Sequence, residues 1–142
     1  MKRPFLLLSI IVVFSSNSFS QASDKSAILV VLNTQVKAWN SGNIDLFMDG
    51  YWRSDSLMFI GKSGVTYGWK NTLDNYKKNY PDTSVMGKLD FSSLQFKKLS
   101  PEYYFVVGKW HLGRSIGDIS GYFTLLFRKI GNKWFIVADH SS

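Results

Sequence analysis

Apolar residues recur at helical spacing early in the chain and alternate like strands in its second half. Ile28, Leu29, Leu32, Val36 and Trp39 predict an amphipathic helix over about Lys25 to Trp39. Ser23-Asp24 would cap its start, and Asn40-Ser41-Gly42 would stop it. Asn43 can cap a second, short helix with Ile44, Phe47 and Met48 inward and Gly50 near its end. Ser56 to Ile60 reads as a strand, Gly61 to Gly64 as a turn, and Val65 to Tyr67 as the return strand. Gly68 then opens a third helix. Trp69, Leu73, Tyr76 and Tyr80 lie on one face of it, and Pro81-Asp82 ends it.

Four longer strands follow: Leu89 to Leu99, Tyr103 to Leu112, Tyr122 to Ile130 and Lys133 to Ser141. Ser100-Pro101-Glu102 and Gly131-Asn132 mark turns, and Gly113 to Gly121 is a glycine-rich connection. Strict alternation in the last strand puts His140 in phase with Trp134, Ile136 and Ala138, and Asp139 in phase with Phe135 and Val137. Helices first and a strand meander afterwards predict an α+β domain. Three N-terminal helices would pack on one face of a curved, mostly antiparallel sheet, leaving a conical cavity at one end.

The first twenty residues stand apart from this pattern. Lys2 and Arg3 precede an apolar run from Phe5 to Phe14, too short to span a bilayer, and Ser18-Phe19-Ser20 supplies small residues for cleavage. This is the layout of a secretory signal peptide over 1–20, with a single mature domain over 21–142. Its removal would lower the formal net charge from +7 to +5 and leave no integral membrane segment. The expected destination is the periplasm or the exterior. The chain has no cysteine, which excludes disulfides, thiolate metal sites and cysteine nucleophiles. Sixteen per cent aromatic residues argue against disorder. The lysines fall only in short pairs, Lys77-Lys78 and Lys97-Lys98, and form no nucleic-acid patch. No metal-binding motif, phosphate loop or Gly-x-Ser-x-Gly elbow is present, so neither metal nor cofactor is expected.

Several strings, in this order, resemble the nuclear transport factor 2-like superfamily, which includes ketosteroid isomerase, scytalone dehydratase and polyketide cyclases. They are Val36 to Asn43, Phe59-Ile60-Gly61, Gly68-Trp69, Gly121 to Lys129 and Trp134 to Ser142. They look most like small exported members without an assigned activity. The resemblance covers the whole mature chain and implies a cone-shaped, cystatin-like roll and a homodimer. Both phases of the last two strands are apolar, so one face is left to meet a partner. Catalytic relatives use a cavity Asp or His for proton transfer, but no string here reproduces their residues.

The candidate residues follow from chemistry. His140 is either a general base or a histidine satisfied by a neighbour near the sheet end. Asp55, after Tyr51-Trp52-Arg53-Ser54, lies in a stretch that the resemblance places at the cavity mouth, and is either a proton shuttle or a cap. Arg114 either holds a carboxylate or phosphate, or is a solvated loop residue. Tyr51, Trp52 and Trp110, with Trp69 and Tyr76, offer aromatic walls for an apolar ligand, although the helical spacing of the last two favours ordinary core. Three functions remain open at this point: a binding module for a small, largely apolar molecule, a cofactor-independent isomerase or dehydratase using Asp55 or His140, and a dimeric interaction domain with a filled cavity.

Overall fold

A computed structural model describes residues 16–142. Among these residues the chain forms α1 (Ser16–Asn40), α2 (Ile44–Met48), β1 (Met58–Gly61), β2 (Gly64–Tyr67), α3 (Trp69–Asn79) and α4 (Thr83–Met86). The strands β3 (Lys88–Ser100), β4 (Tyr103–Gly113), β5 (Ile119–Ile130) and β6 (Lys133–Ser141) follow. They complete a six-stranded sheet of order β2-β1-β6-β5-β4-β3. All neighbours are antiparallel except β1 and β6, which run parallel.

The α+β architecture is as expected, with three differences in detail. First, α1 is already helical at Ser16, the first described residue, because nothing between there and Asp24 breaks a helix. Asp24 is therefore not a cap but an inward residue. Its buried carboxylate accepts from Lys129 Nζ at 2.9 Å and Trp134 Nε1 at 3.3 Å, pinning α1 to the sheet. Second, Asp82 does more than end α3. Its side chain accepts from Val85 N at 2.9 Å and starts the short α4, so there are four helices among the described residues rather than three. Third, β5 begins at Ile119, paired with Leu112, inside the connection expected to be irregular. Residues 1–15 of the expected leader lie outside the described residues.

The core lies between the helices and one sheet face. Ile28, Leu32 and Trp39 of α1, Phe47 and Met48 of α2 and Leu73 of α3 meet Tyr104, Val106, Phe123, Leu125, Phe127, Trp134 and Ile136. Each such side chain contributes roughly 1.5–3 kcal/mol by leaving water. The strand register shifts at three places, one of them between Lys98 and Ser100 of β3. Ser93, with φ of 53°, sits where the β3–β4 register shifts. In β6, Ile136 pairs with Phe127 and Ala138 with Leu126, so Val137 is the extra residue of a bulge.

Candidate functional site

The bulge at Val137 decides what enters the core. Trp134 and Ile136 face inward, and strict alternation would carry Ala138 and His140 after them. One inserted residue reverses the phase, so Asp139 is buried and His140 is exposed. The expected phase of His140 is thus corrected. Asp139 is 4% exposed, and its backbone lies between Phe59 of β1 and Leu125 of β5.

Tyr51 meets this carboxylate because the chain after α2 is sewn to the same strand. Ile136 N donates to Gly50 O at 3.0 Å, and Trp52 N donates to Ile136 O at 2.9 Å, so Tyr51 forms a parallel bridge with Ile136. Gly50 is needed in this approach, since a Cβ there would press on the buried Gln35 amide at 2.9 Å. The Tyr51 hydroxyl donates to Asp139 Oδ2 at 2.7 Å, and Ser141 Oγ donates to Oδ1 at 2.8 Å. Tyr76, carried on the inner face of α3, brings its hydroxyl to 3.5 Å from that of Tyr51. With the Tyr51 proton given to Asp139, the Tyr76 proton is the one that points along this contact. The order is Tyr76, Tyr51, Asp139.

Aromatic rings enclose these polar atoms. Phe47 and Phe59 stand edge-on to Tyr76 at 5.2 Å and 5.6 Å, and Tyr80 stacks on Tyr76 at 6.1 Å. Trp39 closes the cluster against Phe47 and Tyr80. Burial among these rings disfavours a charge, and among the described residues no cation is hydrogen-bonded to the carboxylate. Desolvation accordingly pushes the Asp139 carboxyl up to about 6, against the opposing pull of the Tyr51 and Ser141 hydrogen bonds and the His140 charge. The same burial, with the Asp139 charge beside them, holds both Tyr51 and Tyr76 well above the usual phenol range. The carboxyl thus stands at the end of a chain of two phenols that keep their protons, and it titrates close to neutrality.

The other sequence candidates are dispersed. Asp55 lies exposed in the turn before β1, away from the buried cluster. Trp69 is committed to structure: its indole N–H donates to Met48 O at 2.9 Å, and the Arg53 guanidinium lies 4.4 Å from its ring. Trp52 is half-buried, with its backbone on β6. Trp110 faces inward on β4 opposite Gly121, and its Nε1 is buried with no hydrogen-bond partner among the described residues. Arg114 sits on the β4–β5 loop, where Nε donates to Gly117 O at 2.8 Å. Tyr51 and Tyr76 are therefore the sequence candidates that the fold brings together. Asp139 is the residue that pattern reading missed. Its one signal was an acid placed directly after Phe135-Ile136-Val137-Ala138, where either phase is apolar. Among the described residues no group of three or more His, Asp or Glu is placed to hold a metal ion, and no helix is long and apolar enough to cross a membrane.

No family model matches the sequence, and no curated protein is similar to it. Solved structures are similar. A nuclear transport factor 2-like protein of unknown function from Shewanella oneidensis MR-1 is 42% identical, with a TM-score of 0.80 over 84% of this chain and 98% of that one. A hexachlorocyclohexane dehydrochlorinase of LinA type 3 from Novosphingobium barchaimii LL02 shares the fold at 12% identity, TM-score 0.71, over 89% of this chain and 90% of its own. A protein of unknown function with a cystatin-like fold from Nostoc punctiforme PCC 73102 does so at 11% identity, TM-score 0.68, over 84% and 90%. Identity of 42% across nearly the full length of the Shewanella protein, joined to the sheet order and helix placement above, makes this chain a member of the nuclear transport factor 2-like family.

Proposed function

We propose that the aromatic end of the fold binds a small, largely apolar molecule by its one polar oxygen, with Asp139 and Tyr51 as the polar contacts. The observation that carries this reading is a buried carboxyl that, among the described residues, is hydrogen-bonded to hydroxyls and to no cation, beside aromatic rings. Burying an acid in this way costs stability, and such groups cluster where ligands bind or react. The 3.5 Å contact between Tyr51 and Tyr76 is the longest in the polar chain. A ligand hydroxyl or carbonyl entering there gains better-formed hydrogen bonds than the ones it replaces. The test is a fluorescence titration with 2-naphthol at neutral pH. Asp139→Asn and Tyr51→Phe should each weaken binding by about tenfold or more, and His140→Ala and Asp55→Asn should not. Equal affinity in all five proteins contradicts the reading.

A second reading adds chemistry at the same site. A carboxyl that titrates near 6 is matched to proton transfer close to neutrality. A fold neighbour is named as a dehydrochlorinase, and loss of HCl requires a base. In this reading the base is Asp139 rather than Asp55 or His140, and Tyr51 and Tyr76 supply hydrogen bonds to developing negative charge. Exchange of the α-protons of a cyclic ketone in D2O, followed by NMR, would be accelerated by the wild type and not by Asp139→Asn.

Two features of the setting belong to the proposal. Export would follow removal of residues 1–20. Ala22 and Ser23 are exposed and Asp24 is buried against the sheet, so cleavage there leaves the Asp24 anchor in place. The partner would be a second copy of the chain, meeting this one through the sheet face opposite the helices.

A further inference from the structure

We propose a second site, separate from Asp139, that takes a small anion, a carboxylate or phosphate monoester carried on an aromatic or apolar body. It lies where α4 and the start of β3 meet the β4–β5 loop, in a cavity of about 450 Å³. The floor is Trp39 and Met86. The rim carries Lys88 and Arg114, and none of the lining residues is acidic. The two faces of such a space suit a molecule with one apolar and one anionic end.

Both cations are held in place, and neither side chain forms an ion pair among the described residues. Lys88 Nζ donates to the Asn40 carbonyl at 2.7 Å. Arg114 Nε donates to Gly117 O, and one terminal nitrogen reaches Val85 O only at 3.5 Å. A carbonyl orients an ammonium or guanidinium but supplies no countercharge. The terminal nitrogens of Arg114 keep most of their donors for a planar, bidentate acceptor. Asp118 accepts from the Arg114 backbone N–H at 2.9 Å and feels the Arg114 charge, but its other oxygen is hydrogen-bonded to His111 and it does not line the cavity. The hydroxyls of Thr83 and Ser115, also on the wall, make no hydrogen bond among the described residues. They complete a rim of donors.

The cavity is built by a close approach of backbone. Gly87, with φ of 63°, lets the end of α4 lie against the loop. A Cβ there would run into Arg114 Cγ and the Gly113 carbonyl. The same glycine therefore fixes both the turn into β3 and the position of the guanidinium. Met86 O accepts from Trp39 Nε1 at 3.1 Å, which ties the floor to α1.

Isothermal titration of the whole protein with phenylacetate, benzyl phosphate and benzyl alcohol at low ionic strength tests the assignment. The two anions should bind at least about tenfold more tightly than the alcohol, and raising salt should weaken them but not the alcohol. Lys88→Gln with Arg114→Gln should remove the preference while leaving the 2-naphthol titration unchanged. Phenylacetate should also bind in the presence of saturating 2-naphthol. The proposal is overturned if the alcohol binds as well as the anions, if the double variant keeps its anion affinity, or if phenylacetate and 2-naphthol displace each other. Should the double variant fail to fold, the salt dependence and the alcohol comparison on the wild type decide alone. Loss of 2-naphthol binding in Asp139→Asn with anion binding intact would leave this site standing on its own.

Discussion

Asp139 sets the energetics at the scale of single residues. Its carboxyl ordinarily titrates at 3.8 and is raised to about 6 by burial. Below about pH 4 it is protonated in folded and unfolded chains alike and costs nothing. As the pH rises from about 4 to 6, the unfolded chain releases the proton while the folded chain holds it, so stability falls and then levels off. The shift corresponds to a cost on the order of 2–3 kcal/mol at neutral pH. The neutral amide of Asp139→Asn would carry no such cost and still offer Tyr51 an oxygen. Urea unfolding of Asp139→Asn should show it more stable than wild type at pH 7 by up to that amount, with the gain vanishing near pH 4. A variant less stable than wild type at pH 7 would mean that the ionised carboxylate is well solvated or paired. The aromatic partners of this residue were legible: Tyr76 from its i, i+7 relation to Trp69, and Tyr51 from its place after an apolar helix. The acid was not, because its inward direction depends on a bulge that leaves no local mark among Phe135, Ile136, Val137 and Ala138.

Elements that follow simple periodicity were readable in outline. The inner face of α3 and the bounds of β6 fall where helical and strand spacing put them, although β6 leaves strict alternation at Val137. What escaped were the places where backbone competes with pattern: the stretch of α1 before Lys25, the turn of α4 set by the Asp82 side chain, and the early start of β5. The β4–β5 loop is a further instance. His111 on β4 meets Asp90 at 2.8 Å through Nδ1 and Asp118 at 3.2 Å through Nε2. Two flanking carboxylates favour the imidazolium, which can donate to both, and these hydrogen bonds raise the His111 pKa above its ordinary 6.5. Its contribution to holding the loop is fully present below 6.5 and is lost as the pH rises through the raised value. NMR titration of the His111 ring should give a pKa above 6.5, lowered in Asp118→Asn, with the Arg114 amide shifting in step. A ring that titrates at or below 6.5 would show that the two carboxylates do not act together.

At the scale of the molecule, one sheet face packs on the helices and the other presents Phe105, Val107, Leu126, Phe135 and Val137, partly exposed, with Tyr122 61% exposed. The sequence showed this as strands apolar in both phases, but which phase met the helices became clear only with the register. An apolar face of that extent favours self-association. Sedimentation should give a dimer, converted to monomer by Leu126→Asp with Tyr122→Lys. A monomeric wild type would remove the partner from the proposal without touching the buried site.

That site is tested most directly by the carboxyl itself. The measurement is a 13C NMR titration of the Asp139 side chain, alone and with 2-naphthol bound. The account predicts a midpoint near 6 that moves when the phenol binds, because the ligand oxygen joins the Tyr51–Asp139 chain. A midpoint at the ordinary carboxyl value, unchanged by the phenol, would contradict it.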